Sequence, residues 1–149
     1  MRRFAALGAT LALAACTLAC DESLSKIAGP TPDLEPTFSS IQKEIFETTD
    51  SSGRAACVTC HTASRAQFVA GLTLDHDVAY AQLVNVASRE QPGVMRVAPG
   101  NPDASYIVHK LEGQPGIVGR RMPFNGPPYL TAGQIQIMRR WIEIGAPNN

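Results

Sequence analysis

The chain has 149 residues, the length of one domain. Its 13 Lys and Arg balance its 13 Asp and Glu. This excludes the basic excess that nucleic-acid binding needs, and the apolar runs are too short to span a bilayer.

The N-terminus reads as an export signal. Arg2 and Arg3 form a short basic region, followed by an apolar stretch over residues 4–15. Leu13-Ala14-Ala15-Cys16 resembles a lipobox, in which the cysteine becomes the lipidated first residue of the mature protein. Cys20 is a second candidate anchor, although Thr17 stands where a lipobox carries an aliphatic residue. An ordinary signal cleaved near Ala19 is the simpler alternative. Removing residues 1–15 takes away Arg2 and Arg3 and no acids, leaving 11 Lys and Arg (13 − 2) against 13 Asp and Glu. Residues 16–36 are polar and hold Pro30, Pro32 and Pro36, which disfavour helix. They read as a flexible tether, leaving residues 37–149 as the folded domain.

Ser39 and Gln42 have capping-box spacing, and Phe38, Ile41 and Ile45 form one apolar stripe, so a first helix starts here. A turn-rich stretch over residues 48–53 ends it. Cys57-Val58-Thr59-Cys60-His61 follows. C-x-x-C-H is the attachment motif of a c-type haem: two thiols for thioether bonds to the vinyl groups, and a histidine for the iron. A redox dithiol would call for a βαβ context, which is not visible. A zinc site needs two more ligands, and the other cysteines, Cys16 and Cys20, lie in the export segment. Export agrees with the motif, because c-type haems are attached after translocation.

Residues 71–75 alternate too briefly to predict a strand. Asp75 is a candidate N-cap for a short helix carrying Val78, Leu83 and Val84. Asn101 and Pro102 predict the start of another, carrying Tyr106, Ile107 and Leu111 and stopping at Gly113. The last helix is the clearest. Thr131 and Gln134 form a capping-box pair, Ile135, Met138 and Ile142 share a stripe beside Trp141, and Gly145 and Pro147 end it. The architecture is therefore all-α: four or five helices joined by long Gly/Pro loops. Loops of that length need something to hold them, and a haem wrapped by the chain would do so.

His61 is the fifth iron ligand in this reading. The candidates for the sixth are Met95, Met122, Met138, His76 and His109. Met122 is favoured, because it lies in a loop stiffened by Pro123 and 61 residues beyond His61 (122 − 61). Met138 falls on a core stripe, Met95 lacks a comparable loop, and His76 sits in solvent at a helix start. His109 is the rival and would give bis-histidine ligation. Methionine with histidine raises the potential, and a six-coordinate iron suits outer-sphere electron transfer rather than catalysis.

Taken in order, Cys57 to His61, Gly71-Leu72-Thr73-Leu74-Asp75, residues 99–105, Arg121-Met122-Pro123 and Trp141-Ile142 with Gly145-Ala146 resemble the class I cytochrome c superfamily. The chain is most similar to the planctomycete-type cytochrome c domain. The resemblance covers roughly residues 41–149. It implies a cytochrome c fold around one covalent haem c, with Cys57 and Cys60 as thioether sites and His61 and Met122 as axial ligands. The expected function is a lipid-anchored, exported electron carrier, periplasmic or at the cell surface, held to the membrane through Cys16. Its partners would be redox proteins, with no small-molecule substrate. The alternatives are a haem-based sensor in which Met122 is displaced, and a haem-bearing accessory subunit of a larger periplasmic enzyme. Arg120 and Arg121 adjoin Met122 and are expected near the haem edge, as a docking patch or as partners of the haem carboxylates.

Overall fold

The computed structural model describes residues 29–149, so the signal segment and both candidate anchors, Cys16 and Cys20, lie outside the described residues. Among the described residues four α-helices appear in chain order: α1 (Phe38–Ile41), α2 (Ala79–Leu83), α3 (Tyr106–Glu112) and α4 (Ala132–Glu143). Short 3₁₀ turns form at Cys57–Thr59, Ala63–Phe68 and Pro102–Ala104. Among the described residues there is no extended strand, only isolated bridges such as Val84 with Val97 and Ala87 with Met95.

The first helix departs from its expected form at both ends. Its N-cap is Thr37, whose hydroxyl accepts from the Ser40 amide at 3.3 Å, and not Ser39. The expected box partner Gln42 is engaged elsewhere. Its buried Nε2 donates to Glu47 at 2.7 Å and to the Leu74 carbonyl at 2.9 Å. Beyond Ile41 the helix widens into a π-helix, Gln42–Glu47. The Gln42–Glu47 pair spans five residues, the repeat of a π turn.

Two other starts shift for a similar reason. Asp75 does not cap α2. Its carboxylate accepts from the Ala63 amide at 2.8 Å, and the helix begins after Val78. Asn101 does cap Pro102–Ala104, as expected, but that turn is only a 3₁₀ piece. Ser105 breaks it, because its hydroxyl donates to the Asn101 carbonyl at 2.8 Å and accepts from the Ala98 amide at 2.9 Å. Side-chain bonds of this kind compete with the helix, so α3 starts afresh at Tyr106 and ends at Gly113, whose φ of 71° closes the turn. The capping box of α4 is present as read.

The folded unit also begins before Thr37. Thr31 and Leu34 are buried, Leu34 joins the core, and Gln134 on α4 donates to the Thr31 hydroxyl at 3.1 Å. The part of residues 16–36 that is described is therefore packed against the domain rather than serving as tether.

The two apolar stripes meet in one core. Phe38, Ile41 and Ile45 are buried with Ile135, Met138 and Ile142. The rings of Phe38 and Trp141 lie 5.6 Å apart, and the indole donates to the Pro147 carbonyl at 2.9 Å. Trp141 is fully buried. Trp141→Ala is expected to cost about 3–5 kcal/mol in a urea titration; a loss within error would place no packing load on this contact.

Candidate functional site

The segment that leads into the C-x-x-C-H motif is anchored by a buried ion pair. Arg54 and Asp50 meet at 3.0 Å, both almost wholly buried. The guanidinium also donates to the carbonyls of Ile45 and Ala55 at 3.2 and 3.1 Å, and to those of Glu44 and Thr48 at 3.4 Å each. Several of these are carbonyls at the end of the first helix, which lack intrahelical partners, and a cation suits that end. Asp50 in turn accepts from Ser52 and from Gln134 on α4. Burial opposes ionisation of Asp50, but the hydrogen bonds from Ser52 and Gln134 and the charge of Arg54 outweigh it and hold its carboxyl below the usual 3.8. Neither residue stands out in the sequence, where they are ordinary turn-region charges.

The motif itself forms a 3₁₀ turn. The amides of Cys60 and His61 both donate to the Cys57 carbonyl, at 3.1 and 3.0 Å. Side chains three apart eclipse in such a turn, so Cys57 and Cys60 share one face. The Cys57 thiol donates to the Ile45 carbonyl at 3.4 Å, and burial pushes its pKa up to about 11. Both cysteines are free thiols.

His61 is fixed by the segment at residues 71–75. The Leu74 amide donates to the His61 carbonyl at 2.8 Å, and the imidazole Nδ1 lies 3.2 Å from the Leu72 carbonyl. A carbonyl only accepts, so Nδ1 carries the proton and Nε2 keeps its lone pair. That is the tautomer of a metal-ligating histidine with its outer hydrogen bond already made. Burial lowers the His61 pKa, against the opposing Leu72 hydrogen bond, and keeps the ring neutral.

Met122 is delivered by the end of α3. The Met122 amide donates to the Lys110 carbonyl at 2.8 Å, and Arg121 Nε donates to the Leu111 carbonyl at 2.7 Å. Lys110 Nζ and the Tyr106 hydroxyl hold the intervening loop through the Val118 carbonyl and amide, at 2.7 and 3.0 Å. Carbonyls that a helix end leaves unpaired thus become the mooring of the loop.

These pieces surround one cavity of about 630 Å³, within the usual size of a cofactor site. Cys57, Cys60, His61 and Met122 all line it, among apolar side chains that include Ile45, Leu72 and Leu83. The rival ligands fall elsewhere. His109 Nε2 donates to the Asp103 carbonyl at 2.6 Å, His76 pairs with Glu47 at 2.8 Å in an exposed position, and Met95 is exposed and absent from the cavity wall. Met138 touches the wall but is a core residue, 1% exposed. Among the described residues no three His, Cys, Asp or Glu side chains converge, so the zinc alternative lacks its further ligands there.

Arg120 and Arg121 part company. Arg120 lines the cavity, its guanidinium 5.0 Å from the Phe124 ring centroid. Arg121 turns away and stacks 4.2 Å from the Tyr129 ring centroid, beside a separate groove with Glu112 and Arg139. The two arginines do not form a joint patch. Charged residues that the sequence reading passed over, Arg89, Glu90, Arg96 and Lys110, line the cavity instead. The one signal available was Arg96 inside the apolar run Val94-Met95-Arg96-Val97.

No protein-family model, curated protein or solved structure matches the chain.

Arg54→Met leaves the Asp50 carboxylate buried and unpaired, with an expected loss of about 3–5 kcal/mol in denaturant unfolding. Adding Asp50→Asn removes the stranded charge and should recover part of it. Because the folded-state pKa of Asp50 is depressed, its contribution is present above the unfolded value and is lost as pH falls through the folded one. The stability difference between wild type and Asp50→Asn should therefore shrink on acidification below pH 4 or so, read by urea midpoints across pH.

Proposed function

We propose that the chain is an exported monohaem c-type cytochrome of the class I superfamily, lipid-anchored at Cys16, that passes single electrons between redox proteins. The observation that carries this reading is the convergence of Cys57, Cys60, His61 and Met122 on one cavity of about 630 Å³. Two thiols on one face of a turn suit the two vinyl groups of a haem. A neutral imidazole with its outer nitrogen occupied would suit the haem iron as one ligand, and the thioether of Met122 as a second. A haem held there would supply one-electron iron chemistry, and two protein ligands would leave it no open coordination position. The protein's share of the work is to fix those ligands, exclude water with the apolar wall, and set the potential.

The reading stands or falls on protein purified from a host that matures c-type cytochromes. Haem should stay with the chain after denaturation and extraction into acidified organic solvent, and should be absent after Cys57→Ala with Cys60→Ala. Oxidised protein should show the weak near-infrared sulfur-to-iron band, lost in Met122→Ala and kept in His109→Ala. Haem released by acid extraction would refute covalent attachment. Ready binding of carbon monoxide by the reduced wild type would favour the sensor alternative over the carrier.

A further inference from the structure

The loop between α3 and Met122 has little structure of its own. Residues 115–121 make no backbone–backbone hydrogen bond among the described residues. The loop leaves α3 at Gly113 and returns where the Met122 amide meets the Lys110 carbonyl. Between those ends Val118 is held at both of its main-chain groups. Lys110 Nζ donates to its carbonyl at 2.7 Å, and its amide donates to the Tyr106 hydroxyl at 3.0 Å. The two holding side chains stand four residues apart on α3, on one face. The Val118 side chain is 49% exposed, so apolar burial does not keep it there.

Lys110 and Tyr106 meet one anion. Lys110 Nζ pairs with the Glu90 carboxylate at 3.1 Å, with the lysine side chain 9% exposed and that of Glu90 27%. Burial raises the Tyr106 pKa; the Val118 hydrogen bond opposes it and the charge of Glu90 adds to it, so the phenol stays neutral beside that carboxylate. Glu90 comes from a separate part of the chain, a turn between α2 and α3. That turn is itself fixed. The hydroxyl of buried Ser88 accepts from the Glu90 and Gln91 amides at 3.2 Å each, and the Ser88 amide donates to the Val94 carbonyl at 2.8 Å. A lysine at the depth of Lys110 needs a counter-charge, and Glu90 supplies it where the ammonium can also reach Val118.

Glu90, Lys110, Tyr106 and Met122 line the same cavity. We infer that Glu90 is a positioning residue: acting through Lys110 and Tyr106 it clamps the loop at Val118 and, on the reading proposed above, keeps Met122 from being displaced. A small molecule that competes with Met122 has an affinity scaled by the fraction of loop that stands open. A clamp that keeps this fraction small separates a carrier from a sensor.

The test uses haem-loaded protein and three readouts: the near-infrared sulfur-to-iron band when oxidised, carbon monoxide affinity when reduced, and tryptic cleavage after Arg120 and Arg121. Lys110→Met and Glu90→Ala should each lose most of the band, bind carbon monoxide about tenfold tighter, and be cut faster at the two arginines. Their combination should do little more than either alone, because both break one clamp. Lys110→Arg, which keeps charge and donors, should restore most of the wild-type behaviour. Should Glu90→Ala strand the lysine and fail to mature, Lys110→Met and the milder Tyr106→Phe give the same reading. Ile142→Val trims a core residue outside the cavity wall and should weaken the fold without moving the three readouts.

Wild-type band and carbon monoxide affinity in Lys110→Met and Tyr106→Phe would overturn the clamp, as would equal changes in Ile142→Val. A wild type that lacks the sulfur-to-iron band would instead overturn ligation by Met122. The rate of cleavage at Arg120 and Arg121 would still read the clamp in that case, because it depends on the loop and not on the iron.

Discussion

The buried pair of Arg54 and Asp50 is the contact on which the rest of the molecule depends. It closes the end of the first helix, where a π turn leaves carbonyls pointing into the core. It fixes the chain three residues before Cys57, and through Gln134 it ties that chain to α4 and onward to Thr31. A pair of this kind adds little net stability, since desolvation offsets attraction. What it does is specify one geometry: five donors of a rigid fork fit only one arrangement of acceptors. The C-x-x-C-H turn follows directly on a guanidinium whose hydrogen bonds run to Asp50 and to the carbonyls of Glu44, Ile45, Thr48 and Ala55.

The same economy of unpaired backbone groups builds the opposite side of the cavity. Short helices have few internal bonds and many orphaned ends. In α3 those ends are used: the Lys110 and Leu111 carbonyls hold the loop that carries Met122. His61 is held in a parallel manner by the Leu72 carbonyl, while Gln42 holds the Leu74 carbonyl of the same segment from the first helix. Each proposed ligand is thus positioned by backbone oxygen atoms, which are not affected by side-chain choice and whose place is set by the packing of Trp141, Phe38 and their neighbours.

Charge follows a different logic from packing. Surface pairs such as Arg140 with Glu143 sit in solvent and contribute little. Of the cations around the cavity, Arg65, Arg89 and Arg120 stay exposed and only Arg96 and Lys110 are buried; of these two, Lys110 has found a carboxylate.

Much of this was legible in the residues taken singly or in short windows. The C-x-x-C-H spacing determines a one-sided pair of thiols because a 3₁₀ turn repeats every three residues. The capping box of α4, the stop at Gly113 and the apolar stripes of the first and last helices are local patterns, and they form as read. That Met122 rather than His109 lines the cavity was legible because a loop beside a proline stands free of a helix face. Where the reading failed, the side chain had a long-range alternative. Gln42 left its expected box for Leu74, 32 residues away, and Asp75 left its helix for Ala63. Arg121 left Arg120 for Tyr129. Only the tertiary structure decided these, together with the burial of Arg54 and Arg96. Whether a polar side chain serves its own turn or a distant carbonyl depends on which groups packing deprives of water, and no local window contains that.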